Sequence, residues 1–320
     1  MSGSGAAAEG STVTISTAGT YIVSGNLTDG LITVTTSEND KVQIVLNGVK
    51  IAYSSGPAID IQSADKCFIT LTEGTQNSLS DGSVFISEDA NACIYATCDL
   101  AINGSGSFDV LGNYRHGVFS KDGLVVYGGT VVLDSQGDGV DSNGNVEING
   151  GTLLVNGPSS DGDGAFDYDG EATISGGTVL MAGAVGMAQS FTSGTQAFAL
   201  VQASGSAGNV IEANDADGNV IATLTTTRAF GCVLVSGAGV SDGDTITVSV
   251  DGAATMATAS MAGTSGIATG GMGGGPATGN LKTAVYLALA SLHSCVPAWL
   301  RRFRRGRSRS RHRCGNRGIP

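Results

Sequence analysis

The sequence has few aromatic and few charged residues for a chain of 320. Aromatic residues make up 5% and charged residues 14% of the chain, whereas glycine occurs 50 times. This composition argues against a layered α/β enzyme. It suits a chain that turns about every five to eight residues, where Gly, Asn and Asp adopt positive φ. The regular alternation of apolar residues over 10–255 argues against the disorder that a high glycine content also allows.

Basic residues are scarce outside the last part of the chain. The segment 281–320 holds ten Lys and Arg and no acid, so the segment 1–280 holds six basic and 28 acidic residues, a net charge of −22. An acidic body of this kind does not indicate nucleic-acid binding. It indicates either bound divalent cations or simply a solvated acidic surface.

Several motifs of well-known sites are missing. The sequence contains no CxxC pair, zinc-ligand spacing, phosphate-binding loop or Ser-His-Asp arrangement. The six cysteines leave the redox compartment and the disulfide state open. Cys67 and Cys93 are one repeat length apart in sequence, so we expect them to stack as small apolar residues inside the fold. No signal peptide is visible after Met1.

A short block repeats in the middle of the chain. Each copy joins a strand-like segment to a Gly-Gly-Thr turn, and the copies span 118–130, 139–152 and 165–178. The last two copies match position for position, so that Asp141 corresponds to Asp167 and Gly151 to Gly177, and the first copy is a looser match. Self-similarity at this length, with strand periodicity and no helical periodicity, predicts a β-solenoid.

The pattern divides the chain into four parts. We predict a parallel β-helix over 1–190, and a small β-strand unit over 191–252 that closes the solenoid and contains an Asp-Gly hairpin at 217–218. Residues 253–280, rich in Gly, Met and Ala, predict a flexible linker. The basic tail 281–320 fits a membrane anchor, a nucleic-acid-binding tail or an out-of-frame end.

Two exterior positions recur when the coils are aligned. Down successive coils the first position holds Tyr95, Phe119, Asp141 and Asp167, and the second, two residues later, holds Thr97, Lys121, Asn143 and Asp169. Side chains two apart on a strand share a face, and neighbouring coils lie about 4.8 Å apart. The sequence therefore predicts which of these side chains are neighbours in space.

The acidic members of these positions predict a cation site. Asp141, Asn143, Asp167 and Asp169 would form a square of three carboxylates and one amide, in which like charges repel unless a cation lies among them. Ca²⁺ prefers six to eight oxygen ligands of this kind. The nearby turn residues either add ligands or serve only the turns; they are Asp138, Asp161 and Asp163.

The aromatic and basic members predict a carbohydrate platform. If Tyr95 and Phe119 are exposed beside Lys121, they offer an acidic sugar rings to stack on and a charge partner. The alternative is that both rings serve packing. Catalysis is less well supported, although Arg115, His116 and Lys121 are candidate bases for a uronate lyase.

The segment from Gly137 to Thr152 resembles the signature of a family of bacterial carbohydrate-binding domain proteins, first recognised in a clostridial protein that binds polygalacturonate and cellulose. The resemblance covers most of the chain up to about Val250 and continues at 164–170, 174–178 and 186–189. It implies a right-handed parallel β-helix, bound calcium and an extracellular or cell-surface location, with no established catalysis. It also implies a calcium role for Asp141, Asp167 and Asp169.

Together these observations predict an all-β protein that binds an acidic polysaccharide without catalysis, with the help of Ca²⁺. The expected ligand resembles polygalacturonate or pectin, or is cellulose. The alternatives are a β-helix lyase acting on uronate polymers and a structural or adhesive surface solenoid. We expect no nucleic-acid partner, and membrane contact only if the tail 281–320 is an anchor; the sequence leaves the oligomeric state open.

Overall fold

The computed structural model describes residues 5–87 and 89–263. In these residues every regular element is a β-strand, and none of the described segments is a helix long and apolar enough to cross a bilayer. The predicted tail 281–320 and most of the predicted linker lie outside the described residues.

In chain order the strands are β1 (Ala6–Glu9), β2 (Thr12–Ile15), β3 (Gly19–Leu27), β4 (Leu31–Thr35), β5 (Lys41–Ala52), β6 (Ile59–Ser63), β7 (Lys66–Leu71), β8 (Gln76–Ser80), β9 (Ala92–Ala96), β10 (Asp99–Gly104), β11 (Ser107–Gly112), β12 (His116–Ser120), β13 (Leu124–Val126), β14 (Thr130–Ser135), β15 (Val140–Ser142), β16 (Val146–Asn156), β17 (Phe166–Tyr168), β18 (Ala172–Gly183), β19 (Ser193–Val201), β20 (Val210–Asn214), β21 (Val220–Thr225), β22 (Cys232–Ser236), β23 (Thr245–Val250), β24 (Ala253–Thr258) and β25 (Ser260–Ala262).

The strands form three sheets. Sheet 1 has eight strands in the order β1-β2-β4-β6-β9-β12-β15-β17, in which the last seven pair in parallel. Sheet 2 has 13 strands. Those of its strands that precede β19 in the chain pair with one another in parallel, as the last seven strands of sheet 1 do. Sheet 3 is a four-stranded antiparallel sheet in the order β21-β20-β23-β24. The stacked parallel strands confirm the predicted parallel β-helix.

Each middle coil contributes one strand to sheet 1 and two to sheet 2. In one coil these are β12, β13 and β14, and the chain then enters sheet 1 again as β15. In the next two coils the two strands of sheet 2 are joined into the single long strands β16 and β18, with an irregularity in register at Asn149. The coil therefore returns to the same position of each sheet once per repeat, as the sequence pattern predicted.

The Gly-Gly-Thr turns require glycine for two reasons. Gly129, Gly151 and Gly177 occupy the same position of three successive coils, with φ of 88°, 81° and 93°. A Cβ on Gly151 would lie 2.6 Å from the carbonyl oxygen of Gly129, and a Cβ on Gly177 would lie 2.8 Å from that of Gly151. Both the left-handed backbone and the close approach of the preceding coil exclude a side chain.

A ladder of apolar side chains fills the solenoid. Ile94, Val118, Val140 and Phe166 are neighbours in register on sheet 1, and all are buried. They belong to one hydrophobic core that extends through the coils. Cys67 and Cys93 are free, buried thiols of this core. They lie in β7 of sheet 2 and β9 of sheet 1, so the prediction that they stack on each other is wrong.

The C-terminal strands pack at the end of the solenoid with a second core. Strands β22 and β19 pair antiparallel and extend sheet 2, while sheet 3 contributes Ile211, Ile246 and Val248 to this core. The Asp217-Gly218 turn joins β20 to β21, and Gly218 has a φ of 84°. The antiparallel pairing blocks the growth of parallel strands at this end.

Residues 253–262 are strands and not the predicted linker. They form β24 and β25, and β24 pairs with β23 across a tight turn at Asp251 and Gly252. These two residues have positive φ of 46° and 87°, as the common two-residue hairpin turn requires. The small residues of β24 resemble those of a linker, which is why composition misplaced the boundary.

Candidate metal centre

The outer face of sheet 1 carries the ladder that the repeats predict. Tyr95 pairs with Phe119, Phe119 with Asp141, and Asp141 with Asp167 in the register of four successive strands. The backbone N–H of Asp169 donates to the carbonyl of Ser142, which continues the register by one residue and sets Asp169 beside Asn143. The predicted neighbours are therefore confirmed, and the ladder brings two carboxylates together.

Asp138 joins these two carboxylates. One oxygen each of Asp138, Asp141 and Asp167 lies within 4.8 Å of the others. Asp138 is 3% exposed, and its Oδ1 accepts a hydrogen bond of 2.6 Å from the backbone N–H of Gly164. Since like charges at such distances repel, three partly or fully buried carboxylates favour a bound cation.

His116 closes the inner side of this group. Its ring is 2% exposed, Nδ1 lies 3.0 Å from Asp138 Oδ2, and Nε2 lies 3.7 Å from Asp141 Oδ2. The backbone N–H of Asp138 donates a hydrogen bond of 2.9 Å to Nδ1. His116 and Asp138 form a second, overlapping group with Asp163, which in turn pairs with Arg115 at 3.4 Å. The buried imidazole thus packs against Asp138 and Asp141.

Gln189 contacts the cluster through Asp167. Its side-chain amide nitrogen donates to Asp167 Oδ1, and the residue is 9% exposed. Within the described residues, its Oε1 is buried without a hydrogen-bond partner. A buried acceptor without a partner is costly. The three carboxylates of the cluster are ligands that fit Ca²⁺, whereas imidazole nitrogen suits transition metals better.

The other predicted ligands lie at the margin of the cluster or outside it. Asp163 belongs to the group with His116, and Asp161 accepts a hydrogen bond of 3.0 Å from the backbone N–H of Gly186. Asp161 and Asp169 are exposed, and neither belongs to the two acidic groups found in the described residues. Asn143 is exposed as well. Among the described residues, the acidic group thus joins three predicted ligands, Asp138, Asp141 and Asp167, and a metal role for Asn143 and Asp169 stays a prediction.

The prediction of an exposed platform at Tyr95 and Phe119 is wrong. The two rings stack with centroids 5.2 Å apart, but they are only 5% and 6% exposed. The segment between β8 and β9 covers them, and its Phe85 and Ala90 join them in a separate apolar cluster. Lys121 is exposed, as predicted. The segment lies outside the repeats, so the coil alignment did not show what covers this face.

Sequence reasoning missed two members of the cluster. The sequence indicated His116 only as a candidate catalytic base. His116 is the first residue of β12, and Phe119 of the same strand is the register partner of Asp141. Gln189 lies 22 residues after Asp167 and outside the strands, so the 26-residue spacing of the last two copies of the repeat does not point to it.

Comparisons with known proteins identify relatives of this chain. Residues 9–274 match the family model described as "Carbohydrate-binding domain-containing protein". A protein of that name from Acetivibrio thermocellus is 34% identical over 126 residues, which cover 38% of this chain and 44% of that relative. The chain is also similar to a solved structure titled "Structure of the polysaccharide lyase-like protein from C. thermocellum, Gadolinium derivative", with 27% identity and a TM-score of 0.49 over 58% of this chain and 79% of that one.

The family match covers most of the chain, including every coil that contributes to the acidic cluster. The alignment with the Acetivibrio relative spans less than half of that protein. On the extent of the family match, this chain belongs to the family of carbohydrate-binding domain-containing proteins.

Proposed function

We propose that the protein binds an acidic polysaccharide of the polygalacturonate type without cleaving it, and that Ca²⁺ assists the binding. One observation carries the proposal: among the described residues, one carboxylate oxygen each of Asp138, Asp141 and Asp167 lies within 4.8 Å of the others. Such a group holds an oxygen-preferring cation. The name of the family and of the Acetivibrio relative supports a carbohydrate as the partner.

The charge of the chain explains why the sugar would need the cation. The segment 1–280 carries a net charge of −22, so the body repels a polyanion. A cation held by Asp141 and Asp167, both only half-buried, has a side that faces solvent. Ca²⁺ has enough coordination positions to accept a sugar carboxylate in addition to the protein ligands.

The basic residues near the site favour binding over elimination. A lyase needs an unprotonated base at the sugar carbon. Arg115 is a guanidinium that pairs with Asp163 at 3.4 Å, and His116 is buried behind Asp138 and Asp141. A lyase acting on uronate polymers is the second candidate, because Lys121, the remaining candidate base, is exposed.

Incubation of the protein with polygalacturonate and Ca²⁺ tests the proposal. We expect the protein to sediment with, or be retarded by, the polymer, and no ultraviolet absorbance from unsaturated product to develop. Growth of that absorbance would favour the lyase. Absence of binding to polygalacturonate and to cellulose alike would favour a structural or adhesive solenoid.

We also propose an extracellular or cell-surface location, because polymers of this kind are encountered outside the cell. Protease treatment of intact cells that make the protein tests this location. Digestion of the protein without cell lysis would support it, and complete protection until lysis would contradict it.

A further inference from the structure

A second aromatic stack lies next to the acidic cluster, on a turn that the repeats do not describe. Phe85 and Tyr114 stack with ring centroids 4.3 Å apart and an angle of 20° between the planes. Phe85 is 9% exposed and belongs to the apolar cluster with Tyr95 and Phe119, whereas Tyr114 is 37% exposed. Phe85 covers one face of the Tyr114 ring, and the exposed part of the residue is accessible to a ligand.

The turn that carries Tyr114 is held in place. The backbone N–H of Asn113 donates to Asp81 Oδ1 at 2.5 Å, and its side-chain amide donates to the Asp81 carbonyl at 2.8 Å and to Ser80 Oγ at 3.0 Å. Asp81 is 4% exposed. The ring is therefore fixed before a ligand arrives, which lowers the entropic cost of binding.

Three consecutive residues connect this ring to the acidic cluster. Tyr114 is exposed, Arg115 is half-exposed and pairs with Asp163, and His116 is buried against Asp138 and Asp141. The chain has only six Lys and Arg before position 281. Three of them, Lys41, Lys66 and Arg228, pair with acids elsewhere. Arg115 also pairs with an acid, Asp163 at 3.4 Å, but its side chain is 52% exposed and it follows an exposed aromatic ring.

We propose that Tyr114 and Arg115 form a uronate subsite, in which a sugar ring stacks on Tyr114 and its carboxylate binds the Arg115 guanidinium. Tyrosine combines an apolar face with a polar tip and suits such stacking. Guanidinium recognises carboxylates through two parallel N–H donors. The inference rests on the proposed function and replaces the predicted platform at Tyr95 and Phe119. The flanking Val84 and Ile86, 69% and 81% exposed, extend the apolar surface beside Phe85.

Substitutions at Tyr114 test the stacking. In Ca²⁺, Tyr114→Ala and Tyr114→Leu should each weaken binding of polygalacturonate oligomers about five- to tenfold by calorimetry, whereas Tyr114→Phe should stay within about twofold of the wild type. The leucine variant retains apolar contact with Phe85 and guards against a loss of folding in the alanine variant. Tyr127→Ala is the matched control, because Tyr127 is 52% exposed at another corner of the coil.

Binding of Ca²⁺ alone, measured by calorimetry in the same variants, should be unchanged. Arg115→Gln should weaken binding of polygalacturonate oligomers in Ca²⁺, because the guanidinium that binds the sugar carboxylate is lost. Wild-type affinity in both Tyr114→Ala and Tyr114→Leu would overturn the subsite while the proposed function stands. An altered oligomeric state with unchanged affinity would assign Tyr114 to self-association and overturn it too. If the wild type does not bind polygalacturonate at all, both proposals fail.

Discussion

Asp167 lies directly beside Asp141 on the neighbouring coil, and the carboxylates of both lie within 4.8 Å of that of Asp138. The parallel register produces this proximity, since every coil returns to sheet 1 at the same position. The resulting repulsion is a cost that a folded solenoid without a cation must bear. The behaviour of this cluster with and without Ca²⁺ therefore links the fold to the proposed function.

Removing two charges from the cluster should remove the response to calcium. A ligand bound only by the folded state stabilises it by about 2.7 kcal/mol at one hundred times Kd. We expect Ca²⁺ to raise the Tm of the wild type, and the double variant Asp141→Asn with Asp167→Asn to show almost no rise. In chelator the double variant should melt above the wild type, because the like charges are gone.

The control for this experiment is Asp109→Asn, which removes an exposed charge from β11. It should respond to Ca²⁺ as the wild type does. A full calcium response in the double variant would locate the metal elsewhere in the chain.

Asp81 should make the stability of the fold depend on pH. Burial raises the pKa of this carboxyl group to about 7, and its Oδ2 has no hydrogen-bond partner among the described residues. The folded-state pKa of Asp81 lies above the ordinary value of 3.8. The contribution of Asp81 to the free energy of unfolding is therefore fully present below about pH 4 and is lost as the pH rises through 7. Asp81→Asn should therefore gain stability over the wild type between pH 5 and 8.

Urea unfolding of both proteins at several pH values measures this gain. One unit of pKa shift corresponds to about 1.4 kcal/mol, so the difference between pH 5 and pH 8 should exceed about 1 kcal/mol. Asp29→Asn is a control of opposite sign, because hydrogen bonds from Ser54 lower the pKa of the exposed Asp29 carboxyl. Because Asp29 is ionised in both the folded and the unfolded state above pH 5, the difference in unfolding free energy between Asp29→Asn and the wild type should not change between pH 5 and pH 8. A flat difference for Asp81→Asn would show that Asp81 is charged in the folded state throughout.

A side chain in the Gly-Gly-Thr turns should destabilise the solenoid. Gly151→Ala combines a left-handed backbone with a Cβ only 2.6 Å from the carbonyl oxygen of Gly129. We expect a loss well above the roughly 1–2 kcal/mol that the backbone conformation alone costs. Gly208→Ala isolates that backbone cost, since its φ is 87° and its Cβ would have open space. Equal losses in the two variants by urea unfolding would exclude the collision.

The repeats predicted the fold and the register of the site, because one coil length and the alternation of side chains fix which residues stack. Val140 beside Phe166 and Asp141 beside Asp167 follow directly from the match between the last two copies of the repeat. The prediction failed where the chain leaves the repeat. The segment containing Phe85 covers Tyr95 and Phe119, and no periodicity describes its path. His116 and Gln189 approach Asp138 and Asp167 through side-chain geometry that a coil alignment does not contain.

The most direct test of the account is the affinity of the protein for polygalacturonate as a function of Ca²⁺ concentration. It should be measured for the wild type and for the double variant Asp141→Asn with Asp167→Asn, with a neutral glucan as a comparison. If the cluster holds a cation that bridges to the sugar carboxylate, the wild type should lose nearly all binding of polygalacturonate in chelator and regain it as Ca²⁺ is added. The double variant should bind weakly throughout. Equal binding by the wild type in chelator and in Ca²⁺, or wild-type affinity of the double variant, would contradict the proposal that the acidic cluster holds a cation that bridges to the sugar.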